Sequence, residues 1–297
     1  MGYFSLAFWL AGLAGAPAPD GSAAPAPAAA PLAAFPRETA EYRVTFGIFG
    51  QVARATITYS AETGPAAAGP SAGKLVRAVG AGGGAVLGFG ETQKRIESEF
   101  DARALAARRW TSVRAKNDNT TIDSAEQPRS GTLSLLRKKT GEPDLAESFT
   151  RTAPVMDALS FLYRLRVALP AAPATYEILD GRALWIAQIS AARPDPDDEK
   201  LVRVDGKIDP IYWGGGPDPK RKSHAFSLSF TRDAYRTPVR LVVPFGLGEF
   251  RAELVRLERA EPERDQAFAR RATCARFLGR AICGGFLFPR VKSPTSP

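Results

Sequence analysis

Histidine occurs once in the 297 residues of this chain, and cysteine and methionine twice each. One imidazole, His224, excludes metal sites built on two or more histidines and any mechanism that needs a histidine elsewhere. Its place in SHAFSLSFTRD, just after Lys-Arg-Lys, reads as an ordinary strand position. Cys274 and Cys283 both follow the main body of the chain, so Cys–His catalysis within the fold has no thiol to use. Two cysteines without a nearby histidine also make a poor zinc site, and no metal or cofactor is expected. Neither G-x-S-x-G, nor G-x-x-x-x-G-K-[ST], nor a G-x-G-x-x-G between a strand and a helix is present. Elbow-type serine hydrolases and the common nucleotide-binding loops are therefore not expected.

Long apolar runs are scarce as well. The stretch from Tyr3 to Ala16 is shorter than the roughly 20 residues a membrane helix needs, and it ends in the small residues Ala14, Gly15 and Ala16. That is the length and finish of an export signal over residues 1–16. Residues 17–37 then read as a Pro/Ala-rich linker, residues 38–258 as the folded domain and residues 259–297 as a tail with a cysteine pair. In an exported protein Cys274 and Cys283 are expected to pair as a disulfide, closing a small loop worth about 2–3 kcal/mol. In a cytosolic one they stay two free thiols.

What the chain does have is charge and alternation. Forty Lys and Arg against 31 Asp and Glu give +9. That balance suits anionic partners such as lipid headgroups, and it is equally the mark of a GC-rich genome. Hydrophobic residues make up 44%, enough for a core. Tyr42, Val44, Phe46 and Ile48, then Ala53, Ala55, Ile57 and Tyr59, recur with period two, which predicts a hairpin with one buried face. KLVRAVGAGGGAVLGFGE reads as a strand broken by glycines. RIESEF places Ile96, Ser98 and Phe100 opposite Arg95, Glu97, Glu99 and Asp101, with ARRWTSVRA as its partner. Asp180-Gly181 predicts a hairpin turn. In RTPVRLVVPFGLGEFRAEL, Val239, Leu241 and Val243, then Phe250, Ala252 and Leu254, are expected to line the core, and Pro238 and Pro244 suggest an edge or a bulge. One helix of about four turns is predicted between Pro154 and Pro170, from Val155, Leu159, Leu162 and Leu169 at helical spacing. The expectation is a mainly β fold of nine or ten strands, a curved antiparallel sheet or open β-barrel or clam with one covering helix.

Four blocks of the chain, YRVTFGIFGQVARATITY, RIESEFDARALAARRW, DALSFLYRLRVALP and RTPVRLVVPFGLGEFRAEL, resemble the bacterial domain of unknown function 3108 family over about residues 40 to 258. The resemblance implies a β-rich exported envelope protein, with no established catalytic residues to carry over. It singles out the helix, and with it Asp157, Tyr163 and Arg166, as the first candidate binding residues. Nine positions separate Asp157 from Arg166, which puts them on roughly opposite helix faces, each free to meet a strand or loop.

A second candidate set is Trp213 with Lys220, Arg221 and Lys222, a hairpin tip able to touch anionic headgroups or simply a solvated turn. The acids Glu97, Glu99 and Asp101 look like the wet side of a sheet, with a glycan-acting hydrolase as the competing reading. Basic and aromatic residues do not recur as a nucleic-acid stacking platform. The expected function is that of a non-enzymatic periplasmic protein, associated with the outer membrane, binding a lipid or other amphiphile in an apolar cleft lined by Val44, Phe46, Phe226, Phe230 and Leu241. The alternative is a structural or assembly factor that binds another envelope protein.

Overall fold

A computed structural model describes residues 37–62, 75–86, 90–102, 105–127, 131–151, 155–246 and 248–260. Residues 1–16, read above as an export signal, nearly all of the expected linker, and Cys274 and Cys283 lie outside the described residues. The chain divides after Arg259, and of the second unit only Ala260 is described.

Among the described residues the first unit is a sheet of 16 strands with one α-helix. In chain order the strands are β1 (Glu38–Phe46), β2 (Gln51–Glu62), β3 (Leu75–Val86), β4 (Gly90–Asp101), β5 (Ala107–Lys116), β6 (Asn119–Glu126), β7 (Thr132–Lys139) and β8 (Glu142–Thr150). Then follow β9 (Met156–Asp157), the helix α1 (Ala158–Val167), β10 (Ala174–Asp180), β11 (Ala183–Ile189) and β12 (Arg193–Pro194). The last four are β13 (Leu201–Ile211), β14 (His224–Thr231), β15 (Pro238–Phe245) and β16 (Gly248–Arg259). Their spatial order is 8-7-6-5-4-3-2-1-16-15-14-13-11-10-9, with β12 beside β13. The end strands β8 and β9 do not pair, so the sheet is curved but unclosed, and every pairing is antiparallel except β9 with β10.

Alternation explains why these segments are strands. In β1, Ala40, Tyr42, Val44 and Phe46 are buried, and in β2 so are Ala53, Ala55, Ile57 and Tyr59. One face of each strand thus supplies the core, as the period-two pattern requires. β3 is continuous rather than broken: its glycines pair in register with both β2 and β4. Gly80 has a packing role, because a Cβ there would stand 3.2 Å from Leu159 Cδ2, and the helix settles into that gap. Val239 bulges out of β15, where the register with β14 shifts next to Pro238, and β15 lies between two strands rather than at an edge.

Three further expectations need correction. Ile48, expected on the buried face with Tyr42, Val44 and Phe46, lies past the end of β1 in the turn and is exposed. The helix spans ten residues rather than four turns, because Met156 and Asp157 pair as a short parallel strand with Ile178 and Leu179 before it begins. The strand number is also larger than nine or ten. Residues 119–150 form three strands whose inward face carries Thr121 and Asp123 as well as Ala125, Leu133 and Leu135, so the hydrophobic alternation is diluted.

Candidate functional site

The helix is held at both ends by polar groups taken out of water. Asp157 is its N-cap: Oδ1 accepts from the N–H of Leu159 at 2.8 Å and of Ser160 at 3.3 Å, and Ser160 Oγ accepts from the Asp157 N–H at 2.9 Å. The second oxygen, Oδ2, accepts from Ser98 Oγ of β4 at 2.5 Å and from Ser160 Oγ at 2.8 Å. Burial pushes the Asp157 carboxyl above the usual carboxylate range, against the pull of these hydrogen bonds.

At the other end Arg166, 1% exposed, meets Glu38 of β1 with Nη1 to Oε1 at 2.9 Å. Its Nε and Nη2 donate to the Tyr235 carbonyl at 3.3 and 3.2 Å, and its guanidinium lies 5.3 Å from the centre of the Tyr59 ring. Glu38 also pairs with Arg259 Nε at 2.8 Å. Between the two anchors Tyr163 packs its ring 5.3 Å from Tyr59 and 5.1 Å from Phe100, and burial pushes its phenol up to about 12. The first candidate set therefore lies inside the fold, and it joins helix to sheet through different strands at each end.

Sequence reasoning missed most of the partners. Ser98, Glu38, Tyr235 and Arg259 carried no signal of their own, being single polar residues in otherwise ordinary strands or turns. It also missed a second buried pair, Lys94 Nζ to Asp180 Oδ1 at 2.9 Å, with both side chains 2% exposed and Asp180 Oδ2 left without a hydrogen-bond partner.

The second candidate set divides. Trp213 stacks on Phe149 with ring centres 4.2 Å apart, donates from Nε1 to the Arg182 carbonyl at 3.2 Å, and offers its own carbonyl to Arg151 Nη1 at 3.2 Å. Together with the Arg182–Glu147 and Arg151–Glu177 pairs, it closes β8 onto the far side of the unclosed sheet. Lys220 and Lys222 stand exposed on the β13–β14 connection, while Arg221 turns back to Asp218 at 3.4 Å.

The acidic face of β4 is a set of surface ion pairs. Glu97 meets Arg95 at 2.8 Å and Arg77 at 3.2 Å, and Asp101 meets Arg108 at 2.7 Å. The hydrogen bond from Arg95, with that from Arg77 and the charges of both, holds Glu97 below the usual carboxylate range. A glycosidase acid needs the opposite shift. Among the described residues no group of three or more His, Cys, Asp and Glu could hold a metal ion, and no helix is long and apolar enough to cross a membrane.

His224 sits 5.9 Å from Trp185, ring to ring, and its Nδ1 has no hydrogen-bond partner. Burial, then the nearby Lys222 charge, holds its pKa below the ordinary 6.5. The folded state thus favours the neutral ring. Its contribution to stability is complete above the unfolded pKa, about 6.5, and is lost as the pH falls from there toward the lower folded value. Wild type is expected to lose stability below about pH 6.5, and His224→Phe to flatten that loss. Urea midpoints measured at half-unit steps from pH 7.5 to 5 test this, and parallel profiles for the two proteins would refute it.

No family profile matches the chain, and no curated protein matches it. Among solved structures the chain is similar to the beta-barrel-like protein of domain of unknown function DUF1849 from Brucella abortus, at 12% identity, over 77% of this chain and 99% of that one, with a TM-score of 0.48.

Proposed function

We propose that the chain is a non-enzymatic, exported cell-envelope protein of the domain of unknown function 3108 type, and that it binds its partner on its outer surface rather than around an enclosed acyl chain. The observation that carries this reading is the state of the expected cleft. Val44, Phe46, Phe226 and Phe230 are 5, 9, 3 and 0% exposed, packed into one continuous core with α1, and Leu241 is half-buried against it. Away from these residues, a cavity lined by Trp110, Ala125, Leu133, Val155 and Leu179 measures about 10 Å³, room for one water molecule. A sheet packed onto α1 by such a core is a platform of the kind that presents loops and edges to a partner. The +9 charge and the signal-like residues 1–16 are in keeping with work at an envelope surface.

Cell fractionation followed by mass spectrometry of gently extracted protein tests the reading. The expected result is recovery in the periplasmic fraction with the leader removed and without lipid at one-to-one ratio. A stoichiometric lipid would overturn surface binding, and retention in the cytoplasm would overturn export.

A further inference from the structure

Six large apolar side chains stand exposed among the described residues, and three of them, Ile48, Phe49 and Tyr212, lie in hairpin connections at the same end of the sheet. Antiparallel alternation places the β1–β2, β15–β16 and β13–β14 connections together at that end, and the strand order 2-1-16-15-14-13 makes the three hairpins consecutive. In the β1–β2 connection Gly47 and Gly50, with φ of +44° and +68°, let the chain turn so that Ile48 points away from the protein at 97% exposure and Phe49 at 52%. The turn is not loose. Phe49 stacks on Phe46 with centres 5.8 Å apart, and Phe46 stacks on Phe250 at 4.3 Å and meets Phe245 edge-on at 6.0 Å. Gly47 and Gly248 bring the first two tips into contact, since a Cβ on Gly248 would sit 3.3 Å from Gly47 Cα. The third connection adds exposed Tyr212, at 44%, and the exposed ammonium groups of Lys220 and Lys222.

From this arrangement we infer that the hairpin end docks on an anionic phospholipid bilayer, with Ile48 and Phe49 entering the headgroup–acyl boundary. Tyr212 lies at headgroup level, and Lys220 and Lys222 meet the lipid phosphates. The inference rests on the surface-binding reading above and names its partner. Three features favour a bilayer over a protein. An almost fully exposed isoleucine on a rigid turn is shaped for insertion, whereas a protein interface surrounds its anchors with a flat polar rim. A tyrosine beside lysines is the side-chain set found where membrane meets water. Finally, charge complementarity is available, because each lysine near an anionic surface strengthens binding about fivefold.

Flotation of the purified protein with vesicles is the test. Wild type is expected to float with phosphatidylcholine vesicles containing 30% phosphatidylglycerol and to stay in solution with phosphatidylcholine alone. Ile48→Ser with Phe49→Ser should weaken partitioning at least about tenfold, and Lys220→Glu with Lys222→Glu by a similar factor, abolished in wild type by 0.5 M salt. Neither pair of substitutions touches the buried anchors, and an unchanged thermal midpoint confirms folding. Ile48→Trp supplies a second readout, a blue shift and quenching by brominated acyl chains only with anionic vesicles. Absence of vesicle binding, or binding indifferent to both pairs of substitutions, would overturn the inference. So would an envelope protein cross-linked through residue 48 in cells while vesicles are ignored, an outcome that leaves surface binding itself standing.

Discussion

Lys94→Met is expected to cost about 3–5 kcal/mol of folding stability, the largest effect of any single substitution considered. The reason is that Lys94 Nζ is the ion-pair partner that Asp180 has, at 2.9 Å, in a place where both side chains are 2% exposed. Asp180 Oδ2 already lacks a hydrogen bond, so removing the ammonium leaves a carboxyl group buried with neither charge nor donor to offset its desolvation. The double variant Lys94→Met with Asp180→Leu removes the stranded group and should recover most of the loss, since an apolar pair of similar volume has no charge to bury. Urea denaturation of the single and double variants separates the two terms. A near-neutral single variant, or a double variant no better than the single, would show that the pair is not held as described.

Arg166→Met should destabilise by about 3–4 kcal/mol, a little less, because Glu38 keeps a second cation. Arg166 contacts both oxygens of Glu38, at 2.9 and 3.1 Å, and also supplies the Tyr235 carbonyl with its donors. After its loss Arg259 remains 2.8 Å from Glu38 Oε2, while the Tyr235 carbonyl loses those contacts. Arg166→Lys should recover only part of the stability, since a single ammonium cannot reach Glu38 and the carbonyl in the planar geometry of a guanidinium. The same denaturation experiment decides it. A cost below about 1 kcal/mol for the methionine variant would mean that the helix is seated by apolar packing alone.

Both effects concern the frame from which the hairpin tips project. Tyr42, in the strand that leads to the Ile48 turn, donates to the Pro238 carbonyl at 2.9 Å, and Pro238 opens the strand that leads to the neighbouring turn. The buried anchors of α1 and the exposed end are joined by a single strand: Glu38 begins the strand that Phe46 finishes.

Much of the fold was legible in the residues. The face assignments of Ile96, Ser98 and Phe100, the pairing of β4 with β5, the turn at Asp180-Gly181 and the mainly β class all follow from alternation and turn chemistry. These are local properties, and a strand with one apolar face announces itself within a few residues. The expectation that Asp157 and Arg166 each meet a strand or loop rather than each other was also a matter of helix geometry, and Ser98 and Glu38 are among the groups they meet.

Where the buried face is polar, alternation falls silent. Strands β6 to β8 escaped because Asp123 faces inward to Arg137, at 2.5 Å, in place of an apolar residue. Lys94 stands two residues before Ile96 and so shares the inward face of Ile96, Ser98 and Phe100, but nothing near it in the chain points to its ion-pair partner, and Asp180 lies 86 residues away. Arg166 finds Glu38 across 128. Composition and period therefore determined that this chain is mainly β, with one helix among the described residues, and which strand faces are apolar, because burying those faces is favourable wherever the strands come to lie. Only the tertiary structure decided which charges are sealed inside, which aromatic residues close the seam and which hairpin tips stand together at one end. Those outcomes depend on pairings between distant segments, and the free energy of a buried charge is set by the neighbour it meets rather than by the residues beside it in the chain.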